Sequence, residues 1–288
     1  MAIDQGRPPA VRLLTGLLVA TAVATVGVEL LNFWYAPERG WGFGVRTAWA
    51  SLRTLGWLIL IWQVRRARAS ARPLGLILAV TTIFAVGRLV VPDSGAPPAA
   101  GVIGFGVLTA LCVAVVVVLY RHPVVMAHLV RQPNRVVLTR DGIAWQEGAP
   151  KKSPLGAWAL TARVSAFTYS PLMLVPCLIS VGQLRDRPEW ILAVVFWFVA
   201  GVAVSYVVLL ATFFLMRGKP WARGLLVWVS FGVLVIDLPL CRILLGMDGL
   251  IRDGAPLVAA VLLTFYSLWR AGRSVAVPAG VPAERFSL

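Results

Sequence analysis

The sequence consists largely of apolar runs whose length matches the thickness of a lipid bilayer. A helix needs roughly 20 apolar residues to cross the hydrocarbon core. Eight runs approach or reach that length, at about residues 11–35, 47–64, 73–91, 101–120, 164–183, 190–216, 221–245 and 255–269. Apolar residues make up 59% of the chain and charged residues 14%, against about 50% and 25% in soluble domains. We therefore predict an all-α, polytopic integral membrane protein with eight transmembrane helices.

Basic residues are concentrated in every second gap between these runs. The net charge is +15, and 19 of the 27 Lys and Arg residues fall in the two ends of the chain and in alternate gaps, with only four acidic residues. The other eight basic and eight acidic residues cancel. Because short loops rich in Lys and Arg stay in the cytoplasm, we predict a multi-pass protein of a bacterial plasma membrane with both termini cytoplasmic.

The same basic residues determine which partners the chain is expected to have. In a soluble protein, so large a positive charge would indicate nucleic acid. In short loops beside a membrane, it instead attracts anionic lipid headgroups. We therefore predict membrane lipids as partners and no nucleic acid.

The eight runs fall into two sets of four. Residues 1–120 and 164–270 hold four runs each, residues 121–163 form a cytoplasmic loop, and residues 271–288 form a cytoplasmic tail. Four crossings return a chain to its starting side, so such halves would be parallel repeats. In the loop, Asp141-Gly142 separates two apolar stretches and is typical of a type I′ turn, which predicts a small β-hairpin.

Charged side chains inside the apolar runs are the best candidates for a functional site, because burying them in a bilayer is costly. Five meet this description, all in the middle or outer half of their runs: Glu29, Arg53, Arg88, Asp237 and Arg242. Gathered together, two carboxylates and three guanidiniums would leave one positive charge for an anionic ligand. The alternative is that they pair only to hold helices together, Glu29 with Arg53 or Arg88, and Asp237 with Arg242.

Three functional hypotheses follow from these residues. The first is a binding or permease-like helical bundle with an outward-facing polar cavity, suited to an anionic small molecule or an amphiphilic lipid. The second is a membrane-embedded enzyme acting on a lipid-linked or surface substrate, in which Cys177 or a carboxylate reacts. The third is an accessory subunit without its own site, which packs against another membrane protein or a second copy of itself through small residues.

Metal and cofactor chemistry have little support in the sequence. The two histidines, His122 and His128, lie in the cytoplasmic loop, and the three cysteines, Cys112, Cys177 and Cys241, fall in separate runs. The chain also contains no phosphate-binding Walker loop and no dinucleotide fingerprint. We predict no metal and no cofactor.

Overall fold

A computed structural model shows how these runs fold. It describes residues 8–34, 40–90, 98–130, 135–139, 142–146 and 157–275. Within these ranges the chain is overwhelmingly helical, and large apolar side chains such as Leu192, Phe196 and Trp228 are exposed along the helices. Exposed apolar surface of this kind is what a helical bundle presents to lipid.

The first half of the chain folds into four long helices and one short helix, which pack around a shared apolar core. They are α1 (Pro9–Trp34), α2 (Trp41–Arg65), α3 (Ala71–Ala85), α4 (Ala99–Arg121) and α5 (Pro123–Val130). Helix α1 packs against α2 and α4, and α3 packs against α2 and α4, which closes the four long helices into a ring.

The second half forms a comparable ring around its own core. Its helices are α6 (Ala157–Phe167), α7 (Tyr169–Val181), α8 (Ile191–Met216), α9 (Trp221–Gly249) and α10 (Ala255–Val275). The two rings meet where α2 contacts α7 and where α3 contacts α6 and α10. Short 3-10 turns lie at Gly87–Leu89, Gly182–Arg185 and Pro188–Trp190, and a π-helical turn, Leu250–Gly254, joins α9 to α10.

Five helical segments among the described residues are long and apolar enough to cross a membrane. They are Pro9–Trp34, Ala99–Arg121, Trp158–Arg185, Pro188–Met216 and Trp221–Arg273, the last of which contains both α9 and α10. Helix α3 is apolar but has only 15 residues. A helical protein with several apolar, membrane-length helices is therefore confirmed. The count of eight crossings stays a prediction.

Two predicted helix starts differ from the observed starts by more than two residues. Helix α2 begins at Trp41 rather than near residue 47, because its glycine-rich start packs closely on α7: Trp41 Nε1 donates a hydrogen bond to Leu178 O at 2.7 Å. The fifth run begins at Ala157 rather than 164 and is divided at Thr168. The division follows from Pro171, which has no N–H to donate to the carbonyl of Phe167.

Gly246 changes the direction of the chain between the seventh and eighth runs. Its φ of 73° and ψ of −161° interrupt α9, and this conformation is essentially restricted to glycine. The break immediately follows the predicted end of the seventh run, at residue 245. It sets the position of the Leu250–Gly254 turn, which carries Arg252 and Asp253.

A two-stranded antiparallel sheet lies between the two halves of the chain. Strand β1 (Arg135–Thr139) pairs with β2 (Gly142–Gln146), and Thr139 is opposite Gly142. Gly142 is therefore the first residue of β2. The type I′ signal instead predicts that Asp141 and Gly142 are the two central residues of the turn. Residues 140 and 141, which connect the strands, lie outside the described residues. So do residues 276–288 of the predicted tail 271–288, whereas residues 271–275 belong to α10.

Candidate functional site

A large cavity lies at the end of the bundle where α1 ends and α2 begins. Its volume is about 680 Å³, and it is completed by the end of α7, the Gly182–Arg185 turn and Arg252. A smaller space of about 50 Å³ adjoins it, sharing Glu29, Asn32, Arg46 and Arg252. The two spaces lie where the two halves of the protein meet.

Glu29 and Arg53 form an ion pair between α1 and α2. Arg53 Nη2 donates a hydrogen bond to Glu29 Oε1, and Asn32 Nδ2 donates one to Glu29 Oε2 at 3.4 Å. The Arg53 side chain is 3% exposed and that of Glu29 is 22% exposed. The pair therefore places a buried cation next to a carboxylate that still reaches the cavity.

A second ion pair links the two halves of the protein. Arg46 Nη2 on α2 lies 3.5 Å from Asp253 Oδ2 in the turn before α10. Arg252, which directly precedes Asp253, lines both the large cavity and the smaller space. We call Glu29, Arg46, Arg53, Arg252 and Asp253 the ionic cluster.

The ionic cluster holds three guanidiniums and two carboxylates, and Asp253 also interacts electrostatically with Asp237 and Asp248. The hydrogen-bonding capacity of the cluster is incomplete. Arg46 Nε and Arg53 Nε are both buried and have no hydrogen-bond partner within the described part of the chain. Buried donors of this kind are usually satisfied, so a bound anion would accept the hydrogen bonds that these two donors lack.

Apolar and aromatic side chains form much of the remaining wall of the large cavity. They come from three helices: Val26, Leu30 and Phe33 from α1, Trp41 and Phe43 from α2, and Ile179 from α7. The rings of Phe33 and Phe43 have centroids 5.4 Å apart. A cavity lined by both cationic and apolar side chains matches an amphiphilic anion.

Among the four predicted site residues whose side chains the structure describes, two come together at this cavity. Glu29 and Arg53 form the first ion pair. Arg88 lies in the Gly87–Leu89 turn after α3, and its side chain is outside the described residues.

Neither Asp237 nor Arg242 lines the cavity or the smaller space, although Asp237 is close enough to Asp253 to interact with it electrostatically. Asp237 is fully buried and accepts hydrogen bonds from Trp197 Nε1 at 3.0 Å and from Cys241 Sγ at 3.6 Å. Arg242 is exposed on α9, and no ion pair joins it to Asp237 among the described side chains. Asp237 instead belongs to the packing of α8 against α9.

Three residues of the ionic cluster were not among the predicted site residues: Arg46, Arg252 and Asp253. Each had been assigned to a loop outside the apolar runs. A signal for Arg46 was nevertheless present, because residues seven apart lie on the same face of a helix. Extending the second helix to Trp41 would have placed Arg46 beside Arg53. Arg252 and Asp253 gave no such signal, because their position depends on the kink at Gly246.

The other candidate residues for chemistry lie outside the ionic cluster. Cys177 is 1% exposed, and its thiol is 3.5 Å from Val194 O, which does not support an accessible nucleophile. His128 Nε2 lies 3.2 Å from Val64 O near the end of α2, and His122 caps α4. Within the described ranges, no three His, Cys, Asp or Glu residues are grouped so that they could hold a metal ion.

No family model, no curated protein and no solved structure matches the chain. Its function therefore has to be inferred from its own residues.

Proposed function

We propose that this is an eight-helix membrane protein that binds an amphiphilic anion in the large cavity, as a receptor-like or permease-like bundle. The observation that carries the proposal is the ionic cluster, in which three arginines and two carboxylates adjoin a cavity of about 680 Å³. A phosphate or carboxylate head would interact with the arginines, and its apolar part would contact Leu30, Phe33 and Phe43.

The distribution of arginines supports an orientation with the cavity on the outer side. The opposite helix ends carry Arg65 on α2, Arg121 on α4, Arg217 after α8 and Arg270 on α10. Several arginines at this end also stack on aromatic rings, including Arg273 over Trp269 at 3.9 Å. Basic and aromatic residues together are typical of the cytoplasmic membrane interface. In this proposal both termini are cytoplasmic and the protein resides in the plasma membrane.

The eight crossings are α1, α2, α3, α4, the α6–α7 pair, α8, α9 and α10. Two features support this count and the proposed parallel repeat. Each half has its own apolar core, and in each half the first helical crossing packs against the fourth. The ligand site would then lie between two similarly oriented halves, where small relative movements would change its shape.

Thermal unfolding of the purified full chain in a non-ionic detergent tests the binding proposal. The probe is hexyl phosphate, and hexylammonium is the matched amphiphile of opposite charge. We expect hexyl phosphate to stabilise the protein by about 1.4 kcal/mol at ten times its Kd, since a ligand that binds only the folded state stabilises it by mass action. Hexylammonium should give no stabilisation.

Arg46→Gln should weaken hexyl phosphate binding about tenfold, because a charge-assisted hydrogen bond is lost. Arg242→Gln is the matched control, since it removes the same charge from an exposed position on α9. Equal stabilisation by both amphiphiles, or equal loss in both variants, would count against the proposal.

A further inference from the structure

A separate apolar groove runs between α3 and α10, on the side of the protein where the two halves meet. Its volume is about 300 Å³, and its walls include Leu76, Ile77 and Val80 on α3 and Ala259, Leu263 and Tyr266 on α10. Leu262, at its margin, is 60% exposed and Tyr266 is 44% exposed. The groove therefore opens sideways, toward the region that lipid occupies in the proposed orientation.

The groove adjoins the small space at the ionic cluster. Thr81 and Pro256 line both the groove and the small space that contains Glu29, Arg46, Arg53 and Asp253. The Thr81 hydroxyl donates hydrogen bonds to Ile77 O and Leu78 O of its own helix. Thr81 therefore presents no free donor to the groove, whose surface is almost entirely apolar up to the cluster.

The length of the groove corresponds to one leaflet of a bilayer. Pro256 and Tyr266 are ten residues apart on α10, which is about 15 Å at 1.5 Å per residue. The hydrocarbon core is about 30 Å thick. In a membrane, an apolar groove of this size is filled by hydrocarbon, because an empty space would forfeit contacts with its walls.

We propose that the groove holds one acyl chain of an anionic lipid whose headgroup interacts with the ionic cluster. This inference rests on the proposed function and specifies its ligand as a membrane lipid rather than a water-soluble anion. The buried Nε donors of Arg46 and Arg53, which lack a hydrogen-bond partner among the described residues, select an anionic headgroup. Holding the headgroup there raises the local concentration of its chain at the groove. The lipid would enter sideways between α3 and α10, with no need to leave the bilayer.

Photo-crosslinking of the full chain in phosphatidylcholine nanodiscs tests this inference. The probe is phosphatidic acid with a diazirine near the end of one acyl chain, added as a small fraction of the lipid, and crosslinked peptides are mapped by mass spectrometry. We expect the crosslinks to be concentrated in residues 71–85 and 255–275. Ala259→Trp, which fills the groove, should reduce them at least about fivefold, or about 1 kcal/mol.

Ala110→Trp is the matched control, because it adds the same side chain at an exposed position on α4; it should leave the crosslinks unchanged. Crosslinks spread evenly over α1, α4 and α8 in the unsubstituted protein would overturn the inference, whether or not Ala259→Trp folds. So would equal groove labelling by the same probe with a phosphatidylcholine headgroup.

The two proposals fail in different ways. If hexyl phosphate binds and depends on Arg46 but groove crosslinks are absent, the lipid inference is wrong and the anion site stands. If hexyl phosphate does not bind and groove crosslinks are insensitive to Arg46→Gln, the anion site itself is wrong.

Discussion

The guanidinium of Arg53 on α2 donates a hydrogen bond to the carboxylate of Glu29 on α1, and Arg53 is 4% exposed. A buried arginine in a membrane-embedded helix is costly unless it is paired. The pair lines the same small space as Arg46 and Asp253, which join the two halves of the protein. The ionic cluster therefore combines a structural contact with the capacity to bind an anion.

The Glu29–Arg53 pair should contribute strongly to stability. Glu29→Gln leaves Arg53 buried next to a neutral group and should lower the free energy of unfolding by about 3–5 kcal/mol. Combining Glu29→Gln with Arg53→Met should recover part of this loss, because the buried charge is also removed. Reversible unfolding in mixed micelles provides the measurement. An unfolding free energy for Glu29→Gln equal to that of the unsubstituted protein would show that the pair is not formed.

Asp237 should act in stability and not in anion binding. Asp237→Asn keeps an acceptor for Trp197 Nε1, whereas Asp237→Leu leaves that buried N–H without a partner, which costs about 1–3 kcal/mol. We expect the leucine variant to be the less stable of the two. Both should bind hexyl phosphate as the unsubstituted protein does. Loss of binding in a well-folded Asp237→Asn variant would show that Asp237 contributes to the ligand site.

Gly246 should be required for the position of Arg252 and Asp253. Gly246→Ala places a side chain at a φ of 73° and should destabilise the fold by about 1–3 kcal/mol. It should also weaken hexyl phosphate binding, because the turn before α10 is displaced. Gly232→Ala is the matched control on α9, where an added methyl group meets nothing within 4 Å. Equal stability of the two variants would contradict the assigned role of Gly246.

The natural cysteines should resist labelling by a membrane-impermeant maleimide in intact membranes. Cys112, Cys177 and Cys241 are each at most 1% exposed. Denaturation should expose all three, which provides the control for reagent activity. Rapid labelling of Cys177 in the native protein would favour the hypothesis of a membrane-embedded enzyme.

The sequence predicts the helical class and most helix positions because bilayer thickness imposes a length that is visible in each apolar run. The ranges 101–120 and 190–216 differ from α4 and α8 by at most two residues at each end. Glu29 and Arg53 were identifiable by the same logic, since an ionisable residue within an apolar run requires a reason. Hydropathy is a local property of the sequence, and a charged residue inside an apolar run is visible from that property alone.

The rest of the site depends on contacts between distant segments. Arg46 and Asp253 are 207 residues apart in the chain, and their contact forms only because α2 meets the turn that follows Gly246. The pairing of Asp237 with Trp197 likewise depends on how α8 rotates against α9, so Arg242, nearer in sequence, was the wrong partner. Charge alone does not specify which helix faces which.

Site-directed labelling at the cavity tests the central claim most directly. Ser51 is exposed and lines the large cavity, so Ser51→Cys should be labelled by an impermeant maleimide added to the outer face of sealed membrane vesicles. At ten times its Kd, hexyl phosphate should slow this labelling about tenfold, since only the unoccupied cavity reacts, whereas hexylammonium should not. Labelling only after the vesicles are permeabilised, or no difference between the two amphiphiles, would contradict an outward-facing site for anions.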